Sequence, residues 1–163
     1  MPTTALSALP YPALTSPNNP PADFQALANA LDPKVTPQIA GYGVLWSQSG
    51  GTTLSIGNGG LDGWYVKIGR LVLYRILLTR GSTTNLGTAS YQFALPVAAD
   101  SFQTPAGTAV MSVGGSPNAG IVRLVNSTTI GVIRIDDSLL GPSSFSWASG
   151  DTIMIGGSYM AGS

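Results

Sequence analysis

The sequence predicts an all-β fold: an antiparallel, jelly-roll-like β-sandwich preceded by a Pro-rich extended arm and one short α-helix. Three observations carry this. From Gly41 onward, short runs rich in Val, Ile, Thr and aromatic residues alternate with clusters of Gly, Ser, Thr and Asn, the punctuation of strands and turns. Eight of the 12 prolines fall in the first 40 residues. Within those residues a single segment has helical periodicity.

The arm comes first. Proline fixes φ and removes the backbone N–H, so Leu9-Pro10-Tyr11-Pro12 and Ser16-Pro17-Asn18-Asn19-Pro20 read as extended or turn-like. Leu6, Leu9, Tyr11 and Leu14 have no core of their own there and need a partner surface. The helix is expected over about residues 21–31. Asn19 is its candidate N-cap, Pro20 or Pro21 suits the first helical position, and Asp23 complements the positive end of the dipole. Phe24, Leu27, Ala28 and Leu31 fall on one stripe, and Asp32-Pro33 is expected to end the helix. About three turns are unstable alone, so the stripe packs either on its own β-domain or on another subunit or larger assembly. The arm is therefore residues 1–40 and the β-domain residues 41–163.

In the β-domain the candidate strands are 42–47, 52–56, 63–68, 71–79, 90–95, 107–113, 121–125, 129–135 and 152–159. Gly57-Asn58-Gly59-Gly60, Gly69-Arg70, Gly114-Gly115-Ser116-Pro117-Asn118 and Asn126-Ser127 are turn chemistry. Eight or nine short strands at this spacing read as an antiparallel sandwich. Leu71 to Leu78 has one charge, Arg75, in eight residues, and Ile130 to Ile135 is similarly apolar. A half-solvated strand alternates. Strands apolar on both faces imply that another subunit covers one of them, so Leu73, Arg75, Leu77 and Ile133 are candidate interface residues and a closed cyclic dimer or trimer is expected.

Composition points the same way. Charged residues are 9% of the chain, against about 25% in ordinary domains, and the formal net charge is +0. All 7 acids are Asp. Little charge removes the electrostatic case for nucleic acid or an anionic membrane and favours association. There is no run of the ~18–20 apolar residues that spans a bilayer, and no basic n-region opens the chain. With 0 Cys and 0 His, the chain lacks disulfides, thiolate nucleophiles, the commonest general base and the commonest metal ligand.

The remaining motifs do not assemble a reaction centre. Gly57 to Gly60 is not followed by Gly-Lys-Ser/Thr, so it is no phosphate cradle. Gly156-Gly157-Ser158-Tyr159 lacks the spacing of a nucleophile elbow. Asp136-Asp137 reads as a solvated loop, with a loop cation site as its alternative. Two carboxylates would suffice for a glycosidase, but no motif places them. Asn126-Ser127-Thr128 fits a hairpin turn better than a glycosylation acceptor. Arg75 either snorkels near a sheet edge or pairs across a subunit interface with Asp62 or Asp151. Trp46, Trp64 and Trp147 are core or interface residues before they are ligand platforms. No enzyme activity and no cofactor are expected.

Leu9-Pro10-Tyr11-Pro12-Ala13-Leu14-Thr15, then Asn18 to Pro21, then Ala22 to Ala28 resemble the start of minor structural proteins of bacteriophages, notably those infecting actinobacteria: Pro-Tyr-Pro, a turn, Pro-Ala-Asp and an Ala/Leu helix. Gly63 to Arg70 is similar to the hairpin opening of phage jelly-roll tips. Phe93 to Val97 and Trp147 to Asp151 resemble strand ends of the same proteins. The resemblance implies a non-enzymatic virion component of the tail-tip, fibre or decoration type. It would be made in the bacterial host cytoplasm, with a homotrimeric β-tip. Residues 1–40 would anchor it to capsid, tail or baseplate proteins through Leu9, Tyr11, Phe24, Leu27 and Leu31. The chain has no long repetitive shaft, unlike a long fibre. The alternative is a carbohydrate-binding host-adhesion tip, whose aromatic loops would stack on host-surface glycans.

Overall fold

The computed structural model describes residues 20–35, 37–50, 53–100 and 106–162. The chain divides into two compact units, residues 1–37 and 38–163.

In the first unit a single helix, α1, runs from Pro20 to Val35, with Asp23 in its first turn. Leu9, Tyr11 and the proposed cap Asn19 lie outside the described residues. The helix is longer than the 21–31 segment expected, because Asp32-Pro33 does not end it. A proline's missing N–H removes one rung of the ladder, and so close to the C-terminus only one further turn depends on it. The side-chain amide of Gln25 donates to Asn29 Oδ1 at 2.8 Å, one turn on. Phe24 is 70% exposed, while Leu27 and Leu31 are half-buried.

The second unit is a single nine-stranded antiparallel sheet. Its strands are β1 (Gln38–Tyr42), β2 (Trp46–Gln48), β3 (Gly60–Ile68), β4 (Leu71–Thr79), β5 (Tyr91–Ala94), β6 (Gly107–Val113), β7 (Ser116–Asn126), β8 (Thr129–Arg134) and β9 (Thr152–Met160). Their order across the sheet is β1-β3-β4-β9-β6-β7-β8-β5-β2. The all-β antiparallel architecture is the one the sequence predicts. Its layers belong to one sheet curled into a half-barrel.

The curl has an identifiable cause. β1 and β2 occupy opposite edges of the sheet, yet only Gly43, Val44 and Leu45 separate them. A link this short spans at most about 14 Å from Tyr42 to Trp46. The edges are brought together accordingly: Ala94 of β5 donates its N–H to Leu45 O at 2.9 Å, and Tyr42 OH donates to Ala94 O at 3.3 Å. Residues 42–47, expected as one strand, thus end β1, cross from one edge to the other through Gly43, Val44 and Leu45, and begin β2. Of the expected strand 52–56, the described residues 53–56 contribute an isolated bridge between Ser47 and Thr53. The β-domain starts at Gln38, three residues before Gly41, because β1 pairs with β3 over its whole length.

Turn chemistry sets the registers. Gly114 and Gly115, with φ of 57° and 79°, form the two-residue β6–β7 turn, where two successive left-handed residues match the twist of the strands. In the β7–β8 turn the side-chain oxygen of Asn126 accepts N–H bonds from Thr128 and Thr129 at 2.8 and 2.9 Å, so Asn126 serves the hairpin as expected. Gly157 permits the close crossing of β9 and β6, since a Cβ there would collide with Ala106 O and Gly107 Cα.

Alternation sorts the two faces. Val72, Tyr74, Ile76 and Leu78 of β4 point inward with Ile153, Ile155 and Tyr159 of β9, Met111 of β6, Val122 of β7, Ile130 and Val132 of β8, Tyr91 and Phe93 of β5, and Trp46 of β2. Each such side chain stabilises the fold by about 1.5–3 kcal/mol through burial. Trp46 meets Tyr91 edge-on with ring centroids 5.2 Å apart, and Tyr74 meets Tyr159 at 5.7 Å.

Four tyrosines in this interior resist ionisation. Burial pushes Tyr42, Tyr74 and Tyr91 well above their ordinary range, and pushes Tyr159 up to about 12, partly offset by the hydrogen bond its oxygen accepts from Val97 N–H. A raised folded pKa contributes stability that is complete below the unfolded pKa of 10.0 and is lost as pH rises through the folded value. With no His and no Cys to titrate, Tm should stay level from about pH 6 to 9 and fall steeply above pH 10. Scanning calorimetry and phenolate absorbance across that range test this. A phenolate titration that completes below pH 11 with the β-sheet circular dichroism intact would contradict it.

Candidate functional site

The outer face of the sheet is the exceptional surface of this domain. On β4, Leu71, Leu73, Arg75 and Leu77 point outward between the four buried positions. The ladders align Leu73 with Val66 of β3 and Ser158 of β9, and Leu77 with Asp62 and Met154. On the other half, Val110 of β6 aligns with Met154 and Ala119, and Ile121 of β7 with Thr108 and Ile133. The side chains left exposed there include Ile39 at 70%, Trp64 at 59%, Ile121 at 56%, Val110 at 45%, Leu73 at 44% and Met154 at 42%. Ile135, just beyond β8, is 84% exposed.

These residues form one band that crosses seven adjacent strands, from β1 to β8. It holds two shallow depressions. One, of about 230 Å³, lies over β1, β3 and β4 between Ile39, Trp64, Val66, Leu73 and Arg75. The other, of about 560 Å³, lies over β6, β7 and β8 between Val110, Ile121, Ile133 and Ile135. Soluble monomers seldom expose contiguous apolar patches beyond a few hundred Å².

All four residues singled out on the strands, Leu73, Arg75, Leu77 and Ile133, belong to this face. Leu73 and Arg75 are exposed, and Leu77 and Ile133 are half-buried. Sequence reasoning missed Ile39, Val110, Ile121 and Met154, and read Trp64 only as core or interface. Alternation within each strand was the available signal, but it shows two faces without showing which faces outward.

The charged residues fall into separate settings. Asp62 and Arg75 sit exposed on the outer face, and Arg123 of β7 shares it. Asp151 is 7% exposed: its Oδ1 accepts the N–H of Gly114 at 2.9 Å and its Oδ2 the N–H of Ala148 at 2.6 Å. The suggested pairing of Arg75 with Asp151 is therefore overturned, because both oxygens already hold backbone donors in the turns at one end of the sheet. Arg70 pairs with Asp100, and Arg134 with Asp136 at 3.0 Å. Arg134 also lies 4.6 Å over the ring of Phe145. Hydrogen bonds from the Ser138 hydroxyl and N–H hold the Asp136 carboxyl below the usual carboxylate range, with Arg134 assisting. Asp137 has φ of 63°, a left-handed turn conformation that Asp tolerates. Asp136-Asp137 is thus an exposed turn, as expected.

Among the described residues no three acidic side chains come together to hold a metal ion, and no helix is long and apolar enough to cross a membrane. The Gly57 to Gly60 loop is taken up by its neighbour: Asn58 N donates to Thr83 Oγ1 and Thr83 N to Asn58 Oδ1, both at 2.9 Å. Trp46 is core, and Trp147 is half-buried, with its Nε1 donating to Gly141 O at 3.1 Å. Trp64 alone of the three stands out from the sheet.

No family model matches the chain, and no curated protein and no solved structure matches it either.

Asp151 ties together the β6–β7 turn and the entry to β9, so it is a sensitive probe of the sheet that carries this face. Asp151→Ala should cost about 1–3 kcal/mol by leaving the Gly114 and Ala148 N–H groups without their acceptor, and Asp151→Asn should cost less. Urea unfolding of the two variants checks the order.

Proposed function

We propose that this chain is a non-enzymatic structural component of a bacteriophage particle, attached by residues 1–37 and presenting a β-domain that assembles with copies of itself. The single observation that carries the assembly is the apolar outer face. Its exposed Ile, Leu, Val, Met and Trp side chains lie on rigid ladders, where they present a fixed shape and lose little entropy on contact. The near-absence of charge supports the same reading, since copies of this domain meet without repulsion. Cyclic closure, as a dimer or a trimer, would cover this band in every copy and leave no open edge for further growth. The particle role rests on the likeness of the arm and helix to phage structural proteins. In that role the exposed ring of Phe24 is the described residue best placed to seat on a neighbour.

A second reading, a carbohydrate-binding tip, is favoured by Trp64. An indole 59% exposed, with Arg75 and Asp62 on the same face, offers a stacking surface and polar partners to a sugar ring. It predicts saturable signals on a glycan array that Trp64→Ala removes while the oligomer persists.

The assembly is read from mass. At micromolar concentration the full chain should elute with a light-scattering mass that is a multiple of 16.7 kDa. Leu73→Asp with Ile121→Asp should return it to a single 16.7 kDa chain with unchanged circular dichroism. Deleting residues 1–37 should leave an oligomer that no longer joins phage particles. A wild-type monomer at tens of micromolar would sink the proposal.

A further inference from the structure

We infer that the contact between copies is centred on Trp64 and is set in register by Asp62 of one copy meeting Arg75 of the next. The inference rests on the self-association proposed above and specifies where and how it occurs.

The starting point is the pairing of β3 with β4. Trp64 lies directly opposite Arg75, and Asp62 directly opposite Leu77, so Asp62 and Arg75 are diagonal neighbours on one outward face. Around them stand Ile39, Val66 and Leu73, which with Trp64 and Arg75 shape the depression over β1, β3 and β4. The site therefore has an exposed aromatic at its centre, an aliphatic surround and one charge of each sign.

Neither charge has a partner among the described residues. Among the described residues, no ion pair or side-chain hydrogen bond engages Asp62 or Arg75; the ion pairs are Arg70–Asp100 and Arg134–Asp136. Asp151, the other acid considered for Arg75, is buried and bonded to Gly114 and Ala148. That leaves Asp62 as the acid beside Arg75 on the outer face, since Asp137 borders the other depression, over β6, β7 and β8.

A patch with one acid and one base among apolar residues is complementary to itself. When two such patches meet about a two-fold axis that lies in the contact and passes midway between Asp62 and Arg75, each Arg75 faces an Asp62 and the apolar surrounds meet. Packing displaced from that axis sets each charge against an apolar side chain or a like charge, and both are disfavoured. Burial of Trp64 and Leu73 supplies most of the affinity, as buried aromatic anchors do in other interfaces. The ion pairs contribute chiefly specificity and register.

A charge exchange in the full chain tests this, read by sedimentation equilibrium with circular dichroism as the control for folding. Asp62→Arg and Arg75→Asp should each raise the dissociation constant by about tenfold or more, by placing like charges face to face. The double variant D62R/R75D should recover to within about threefold of the wild type, because the reversed pair restores complementarity. Trp64→Ala should weaken association more than either charge change, with folding intact. Single variants that associate as tightly as the wild type, or a double variant no better than the singles, would overturn the pairing while self-association stands. A wild-type chain that stays monomeric would overturn both.

Discussion

Gly43, Val44 and Leu45 join two strands that lie at opposite edges of one nine-stranded sheet, and a link that short forces the edges toward each other. Much else depends on this constraint. A flat sheet of this width would leave β1 and β2 far apart, since neighbouring strands are spaced by about 4.8 Å. The sheet must curl, and curling encloses the inner side chains of β2, β4, β5, β8 and β9 in one core. The contacts of Ala94 with Leu45 and Tyr42 are the local expression of that closure. The interior it makes is dry enough to hold four tyrosine hydroxyls in their neutral form.

The same curl decides what the outside looks like. A sheet rolled on itself has one face inside and one face out, so every second residue of every strand is offered to the surroundings. In most half-solvated sheets those positions are polar. Here they are Leu71, Leu73, Val110, Ile121 and Met154, with Trp64 and Arg75 among them. The fold does not need them: Val72, Tyr74, Ile76 and Leu78 already fill the interior beneath β4. This apolar outer set, which the core does not use, is the surface that the proposed self-assembly would cover. The low charge of the whole chain is consistent with that use, because solubility through repulsion would oppose it.

Much of this was legible in the residues. β4 and β6 match the predicted 71–79 and 107–113 at both ends, because Gly-bounded runs of Val, Ile, Leu and aromatic residues leave little choice. Leu73 and Arg75 stood out as interface candidates because their strand is apolar on both faces, and the structure places both on its exposed outer face. Three features were not legible. Tyr42 to Ser47 has the composition of a strand, but its residues cross between sheet edges, which depends on the order in which strands pair. Pro33 reads as a helix end, yet lies one turn from the actual terminus, where losing one hydrogen bond matters little. Asp151 reads as a possible partner for Arg75, yet the two turns it bridges are far apart in sequence.

By itself the sequence determined that this is an antiparallel β-protein with a proline-rich leading segment and a helix, that it has no imidazole or thiol chemistry, and that some strands are apolar on both sides. These follow from local rules: residue periodicity, turn residues and composition act within a few positions of the chain. The tertiary structure alone decided that all nine strands join one curled sheet, which apolar residues face out, and that Asp62, not Asp151, shares a face with Arg75. Those outcomes rest on which strands lie side by side, and that is set by contacts between residues tens of positions apart, where no local pattern reaches.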